Sequence, residues 1–286
     1  MLFRSGPERY GDIDVVYTNS RLNDDLAAKL TSLKWIQTTY GGGGSYLTPS
    51  VVARKIPVTC SRGVQAQPLS EFTEACVLAL AKRFPLLGQL KSQRRWDETL
   101  MLDSLPGKVA GLLGFGAVGS AVAQRLHKQG MRIRAIRRNV ADAPPYVERM
   151  MAMDRLAELL AEADVIVIGL PPLPNLRGLI GTAQLRSMKK TAFLVNLVTR
   201  EIVDDGALAT ALEQGWIAGA ACNVFGTNPL PENSPLWNAP NLIISPNVAS
   251  TDPLRWQSLR KVFADNLGRW IKNAPLVNLV DGQGAY

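Results

Sequence analysis

A chain of 286 residues that is 47% hydrophobic and 20% charged is too long for one ordinary domain and suits two, each burying a sizeable core. Its net charge of +8 comes from lysines and arginines spread along the whole length, so no nucleic-acid partner is expected. Apolar runs such as residues 165–170 reach only strand length, and the first six residues carry no apolar leader, so neither a membrane span nor a secretory signal is expected. The three cysteines, Cys60, Cys76 and Cys222, lie far apart; this argues against a disulfide framework and a zinc site and fits a reducing cytoplasm.

Along the chain, apolar strand-like runs alternate with helical patterns, the signature of parallel sheets covered by helices, and so of an α/β fold. Residues 13–17 read as a strand, 24–33 as a helix and 35–38 as a second strand running into Gly41-Gly42-Gly43-Gly44. Those glycines read equally as a flexible linker or as a loop shaped for close approach to a ligand. A short strand at 56–60 and a strong helix at 70–84 follow, then a polar stretch, 91–98, that looks like a hinge. Beyond it come a buried strand at 108–113, a glycine turn, a helix at 120–129 and a strand at 132–136. Further strands are expected at 165–169, 192–196, 218–221 and 242–245.

The glycine turn, Gly114-Phe115-Gly116-Ala117-Val118-Gly119, matches G-x-G-x-x-G between a buried strand and an amphipathic helix, which is the context that gives this pattern meaning. Gly114 permits the tight turn, Gly116 lets the backbone approach a pyrophosphate, and Gly119 allows close packing of helix on strand. The helix start supplies free N–H groups and positive potential for phosphates. Where the next strand ends, an NAD-binding domain carries a carboxylate for the ribose hydroxyls; this chain has Arg137-Arg138, in a cluster with Arg132 and Arg134. Two guanidiniums suit a 2′-phosphate, so NADP(H) is expected over NAD(H).

With these motifs placed, the chain resembles the D-isomer-specific 2-hydroxyacid dehydrogenases, in particular the glyoxylate/hydroxypyruvate reductase-like branch. The resemblance is carried by Leu105-Pro106-Gly107-Lys108, Leu170-Pro171-Pro172-Leu173-Pro174, Arg177-Gly178-Leu179-Ile180, Asn196 with Val203-Asp204, Pro229-Leu230-Pro231, and Asn278-Leu279-Val280-Asp281 with Tyr286. It implies a Rossmann dinucleotide-binding domain, residues 93–257, inserted into a smaller flavodoxin-like substrate domain, residues 1–92 and 258–286. The substrate domain's first strand, expected before Ile13, is missing or much reduced. The resemblance also implies a homodimer, and a small substrate with a carboxylate and a carbonyl. The backbone N–H groups of Tyr40, Gly41, Gly42 and Gly43 are expected to receive that carboxylate. Leu170 and Pro171 are expected near the cofactor, and Asn196, Leu197, Val198 and Thr199 near its nicotinamide half.

The family's reaction needs a histidine to exchange the proton, a carboxylate to hold that histidine, and an arginine to bind and polarise the substrate. By resemblance the histidine position is Asn247, in Ser245-Pro246-Asn247-Val248-Ala249-Ser250, and the carboxylate position is Asn228. The arginine position falls on Thr199, with Arg200 one place late, and an aspartate on the nicotinamide side becomes Asn223. The one histidine in the chain, His127, lies in the helix after the glycine turn and reads as a surface residue. Asn247 and Asn228 can hydrogen-bond to a substrate or to each other but cannot exchange protons usefully.

Two readings follow. One is an NADP(H)-dependent oxidoreductase with a non-standard site, with Arg200 replacing the missing arginine and Tyr40 or a water supplying the proton. The other is a catalytically inactive NADP(H)-binding sensor, scaffold or partner subunit. Cys222 reads as a small buried hydrophobe rather than a nucleophile.

Overall fold

The computed structural model describes residues 7–20, 22–138, 140, 143–171 and 173–280. The readings placed on residues 1–6, Pro172, Asp281 and Tyr286 lie outside them. In chain order the first elements are β1 (Val15–Thr18), α1 (Asp24–Lys29), β2 (Trp35–Thr38), α2 (Pro49–Ala53) and β3 (Val58–Thr59). Next come α3 (Ala66–Ala81), α4 (Phe84–Ser92), β4 (Val109–Leu113), α5 (Ala117–Lys128), β5 (Arg132–Ile136) and β6 (Val147–Met151). The rest are α6 (Leu156–Glu162), β7 (Val165–Ile168), α7 (Thr182–Ser187), β8 (Phe193–Asn196), α8 (Asp205–Glu213), β9 (Gly219–Cys222), β10 (Leu242–Ile244) and α9 (Arg255–Ile271).

The chain divides into two compact units, residues 1–65 with 252–286, and residues 66–251. These bounds differ from the expected 92/93 and 257/258, and the reason is α3. Arg125 on α5 donates to Ser70 Oγ (3.0 Å), Glu74 (2.9 Å) and Glu71 (2.8 Å) on α3. Leu69, Val77 and Leu80 of α3 are buried with Val122 and Leu126 of α5 in one cluster. Each such aliphatic side chain contributes roughly 1.5–3 kcal/mol on burial, which fixes α3 in the larger unit. The polar stretch 91–98 therefore lies inside that unit and is not its boundary: Lys91 and Ser92 finish α4, and Asp97 Oδ1 accepts from the Thr99 N–H at 3.0 Å.

In the larger unit, seven parallel strands lie in the order β10-β9-β8-β7-β4-β5-β6 among the described residues. The strands read as continuous apolar runs because both faces are covered. Leu159 and Leu160 of α6, Leu185 of α7 and Leu208 of α8 pack on one face, and α3 and α5 on the other. Connections run outward from β4 in one direction and from β7 in the other. The β4/β7 pair is therefore the switch point, where ligands of such sheets bind beyond the strands' carboxyl ends.

In the smaller unit, β1, β2 and β3 form a parallel sheet. Asn23 caps α1 by accepting from the Leu26 N–H at 2.9 Å. The strand expected at 56–60 shrinks to two residues, because the Cys60 N–H leaves the ladder for Asn278 O at 3.0 Å. Helix α9 lies on β1 and β2: Phe263 stacks on Tyr17 with ring centroids 4.5 Å apart, and Trp270 on Trp35 at 5.8 Å. Asn266, fully buried, donates to Gln37 Oε1 (3.0 Å) and Val277 O (3.1 Å) and accepts from the Val277 N–H (2.9 Å). Replacing it by leucine orphans both Val277 backbone groups, so Asn266→Leu is expected to destabilise the chain by about 1–3 kcal/mol in urea unfolding. A change under about 0.5 kcal/mol would mean that water reaches those groups.

Candidate functional site

The glycine turn follows β4 at the switch point. Gly114 has φ +102°, and a Cβ there would stand 2.7 Å from the Gly169 carbonyl and 2.9 Å from Leu170 N. A Cβ on Gly119 would stand 2.1 Å from Gly114 O, whereas one on Gly116 would meet nothing within 4 Å. So Gly114 and Gly119 are required by backbone packing, and Gly116 faces open space. Helix α5 begins without a side-chain cap, and the N–H groups of Ala117, Val118 and Gly119 have no acceptor among the described residues. Uncapped N–H groups at the positive end of a twelve-residue helix form an anion cradle, and the open face at Gly116 leaves room for a dinucleotide's pyrophosphate.

The basic cluster at β5 splits in two. Arg132 donates to Glu148 through Nε (2.7 Å) and Nη2 (2.6 Å), and Arg134 to Glu148 (2.9 Å) and Glu162. The hydrogen bonds from Arg132, reinforced by Arg134, hold the Glu148 carboxyl down to about 2, so Glu148 stays charged at neutral pH. Arg137 and Arg138 follow the strand, are exposed, and have no side-chain partner among the described residues. Of the cluster's four arginines, these two are free to meet an anion.

The remaining strands of the switch present a chain of polar contacts. Thr199 is buried, and its hydroxyl donates to Leu170 O. Asn196 closes the same turn, donating to Thr199 O at 3.0 Å. Asn223 is buried at the end of β9; its amide donates to Leu197 O (3.1 Å) and accepts from the Ser245 hydroxyl (2.8 Å) and the Ala249 N–H (3.0 Å). The Asn247 N–H donates to Asn223 O at 3.0 Å, and Asn247 has φ +59°, a conformation that asparagine tolerates better than most residues. Thr199, Leu197, Leu170, Asn223 and Asn247 are thus joined into one assembly, while Pro171 and Val198 are partly exposed beside it.

Several sequence-named residues stand apart from that assembly. Arg200 and Asn228 are exposed, and the Asp205 carboxylate fixes the loop before Asn228 by accepting from the Gly226 N–H at 3.0 Å. The side-chain amides of Asn228 and Asn247 do not bond to each other or to any other described residue. His127 is exposed, with its ring 5.7 Å from that of Tyr146. Burial pushes the Cys222 thiol up to about 12, so it stays neutral and packs as a hydrophobe. Ser245, which anchors Asn223, carries no spacing signal that distinguishes it from any loop serine.

In the smaller unit, Tyr40 is 50% exposed at the end of β2. Its N–H already donates to Thr38 Oγ1 at 3.1 Å, which removes it from the expected anion donors. The N–H groups of Gly41, Gly42 and Gly43 have no acceptor among the described residues. Gly43 is buried against Val280, whose Cγ2 would lie 2.3 Å from a Cβ, so this position excludes a side chain. The Asn223 contacts generate a test. In Asn223→Asp a carboxylate oxygen would face Leu197 O in place of the amide donor. The variant is expected to lose about 1–3 kcal/mol at neutral pH, a penalty that shrinks as the pH falls and the carboxyl is protonated. Equal urea midpoints for variant and parent at neutral pH would contradict the assigned bonds.

Comparison with known proteins agrees with this geometry. The chain is 35% identical over 254 residues to a glyoxylate reductase of Thermofilum pendens, covering 86% of this chain and 74% of the relative. It is 34% identical over 286 residues to a glyoxylate reductase of Aeropyrum pernix, covering 94% and 83%. Among solved structures, a D-isomer specific 2-hydroxyacid dehydrogenase from Xanthobacter autotrophicus Py2 in complex with NADPH and MES superposes with a TM-score of 0.85 at 26% identity, covering 99% of this chain and 87% of that one. Residues 75–249 match the family described as D-isomer specific 2-hydroxyacid dehydrogenase, NAD binding domain, and the chain belongs to that family.

Proposed function

We propose that this chain is an NADP(H)-dependent oxidoreductase that reduces a small carbonyl compound bearing a carboxylate, through a site lacking the family's histidine, carboxylate and arginine. The observation that carries the cofactor reading is the pair Arg137 and Arg138, exposed beyond β5 and without a side-chain partner among the described residues, while Arg132 and Arg134 are neutralised by Glu148 and Glu162. The complex of the Xanthobacter relative with NADPH and the glyoxylate reductases among the relatives support the same assignment. When bound, the reduced nicotinamide supplies a hydride to the carbonyl carbon. In this reading the groups of the larger unit are Thr199, Asn223, Asn228, Arg200 and Asn247; the smaller unit, taken by itself, offers Tyr40 with Gly41, Gly42 and Gly43. None is a carboxylate or an imidazole, so the proton for the developing alkoxide comes from water. Losing a positioned acid typically costs roughly 10²–10⁴ in rate, so slow turnover is expected.

One observation favours the second reading, a noncatalytic NADP(H)-binding protein: the Thr199 hydroxyl and three hydrogen bonds of the Asn223 amide are already committed within the protein. We also propose a homodimer. Trp96 and Met101 in the larger unit, 88% and 79% exposed, suit burial against a second copy.

Titration with NADPH and NADH tests the cofactor assignment. NADPH is expected to bind at least about tenfold tighter, the equivalent of one good charge-assisted contact. The double variant Arg137→Gln/Arg138→Gln should erase that preference while leaving NADH affinity unchanged. Equal affinities in the parent chain would overturn the assignment.

A further inference from the structure

The glycine loop of the smaller unit offers backbone donors, the N–H groups of Gly41, Gly42 and Gly43, that have no acceptor among the described residues. The same unit supplies a cation of its own. Arg255 stands on the first turn of α9, on the stripe that continues through Leu259 and Asn266, both buried, and Phe263 and Trp270, both partly buried; Trp256, Gln257, Arg260 and Lys261 face solvent. Its Nε is sealed from solvent without a hydrogen-bond partner, and its guanidinium reaches no acceptor among the described residues. The neighbouring arginines behave otherwise. Arg54 donates to the carbonyls of Ala27, Thr31 and Leu33, Arg260 to that of Trp256, and Arg269 to that of Pro275.

The register of α9 says where Arg255 stands. Trp270 lies on Trp35, Asn266 on Gln37, and Phe263 on Tyr17, which pairs with Gln37 across the sheet. The helix therefore runs opposite to β2. Eleven residues from Asn266 back to Arg255 span about 16 Å of helix, whereas β2 ends at Thr38, one residue beyond Gln37, and the chain bends at residues 39–41. Arg255 thus stands toward the carboxyl end of β2, the end at which the glycine loop leaves the sheet. A buried guanidinium N–H without an acceptor is costly, and such a residue is retained where an external acceptor meets it. The planar fork of arginine pairs with carboxylate oxygens more strongly than a neutral donor does.

We propose that Arg255 is the guanidinium that pairs with the carboxylate of the ligand held by the Gly41–Gly43 N–H groups. This rests on the carboxylate-substrate reading above. It makes Arg255 a specificity residue: it selects an anionic end group and holds it beside the loop.

The test uses oxamate, a carboxylate ligand with an amide in place of a reducible carbonyl, titrated calorimetrically into the full chain with NADPH present. Arg255→Gln is expected to weaken oxamate binding about tenfold or more, and Arg255→Lys, which keeps the charge but loses the fork, by an intermediate factor. Lys261→Gln, an equal change in net charge on the exposed face of the same helix, should bind oxamate as the parent does, and all variants should bind NADPH alike. If Arg255→Gln fails to fold, Arg255→Lys carries the test. Three outcomes would overturn the proposal: Arg255 variants within about twofold of the parent, a loss that follows Arg200→Gln instead, or a parent chain that binds NADPH but no oxamate. Turnover is read separately. A chain that binds oxamate through Arg255 yet oxidises no NADPH with any 2-oxo acid would remove the oxidoreductase reading and leave the role of Arg255 standing.

Discussion

Beyond the carboxyl ends of β4 and β7, three backbone segments pass so close that side chains cannot fit between them. A Cβ on Gly119 would stand 2.1 Å from Gly114 O, and one on Gly114 would stand 2.7 Å from Gly169. This approach presses the start of α5 onto the sheet, directs its uncapped N–H groups outward at the switch point and leaves Gly116 facing open space. Arg137 and Arg138 are carried past the end of β5 by the same sheet, beside the strand that bears the fingerprint. The open anion cradle thus follows from a packing constraint at two glycines and only secondarily from charge.

The rest of the sheet edge is held by neutral hydrogen bonds. Thr199 is tied to Leu170, and Asn223 joins the loops after β8, β9 and β10 through Leu197, Ser245 and Ala249. A carboxylate at 223 would lack the donor that Leu197 O accepts, and a β-branched residue at 247 would be strained at φ +59°. The asparagines are therefore physically consistent with their surroundings.

Much of this was legible in the sequence. The strands β2 and β5 have the bounds read from the sequence, 35–38 and 132–136, and G-x-G-x-x-G marked the turn between β4 and α5. The strand β6 was not legible, because Glu148 and Arg149 interrupt its apolar residues at the edge of the sheet. The unit boundary was missed because the polar stretch at 91–98 imitates a linker, whereas the ion pairs from Arg125 to Glu71 and Glu74 that assign α3 to the larger unit span 51–54 residues in sequence. The sequence singled out Arg137 and Arg138 from a cluster of four arginines; the structure shows that Glu148 and Glu162 occupy the other two. Arg255 carries no motif, and its isolation becomes visible only when every neighbouring acceptor is accounted for.

The central claim is that hydride transfer in this chain proceeds without an imidazole or a carboxyl group as proton donor. Its most direct test is the pH dependence of NADPH oxidation with glyoxylate and hydroxypyruvate. The account predicts slow turnover whose kcat/KM changes by less than about threefold between about pH 6 and about pH 8, since no imidazole serves the site. A sigmoid or bell centred near the histidine range would contradict it and implicate His127. Tight NADPH binding with no oxidation of either substrate would contradict it in the other direction, in favour of a noncatalytic dinucleotide-binding protein.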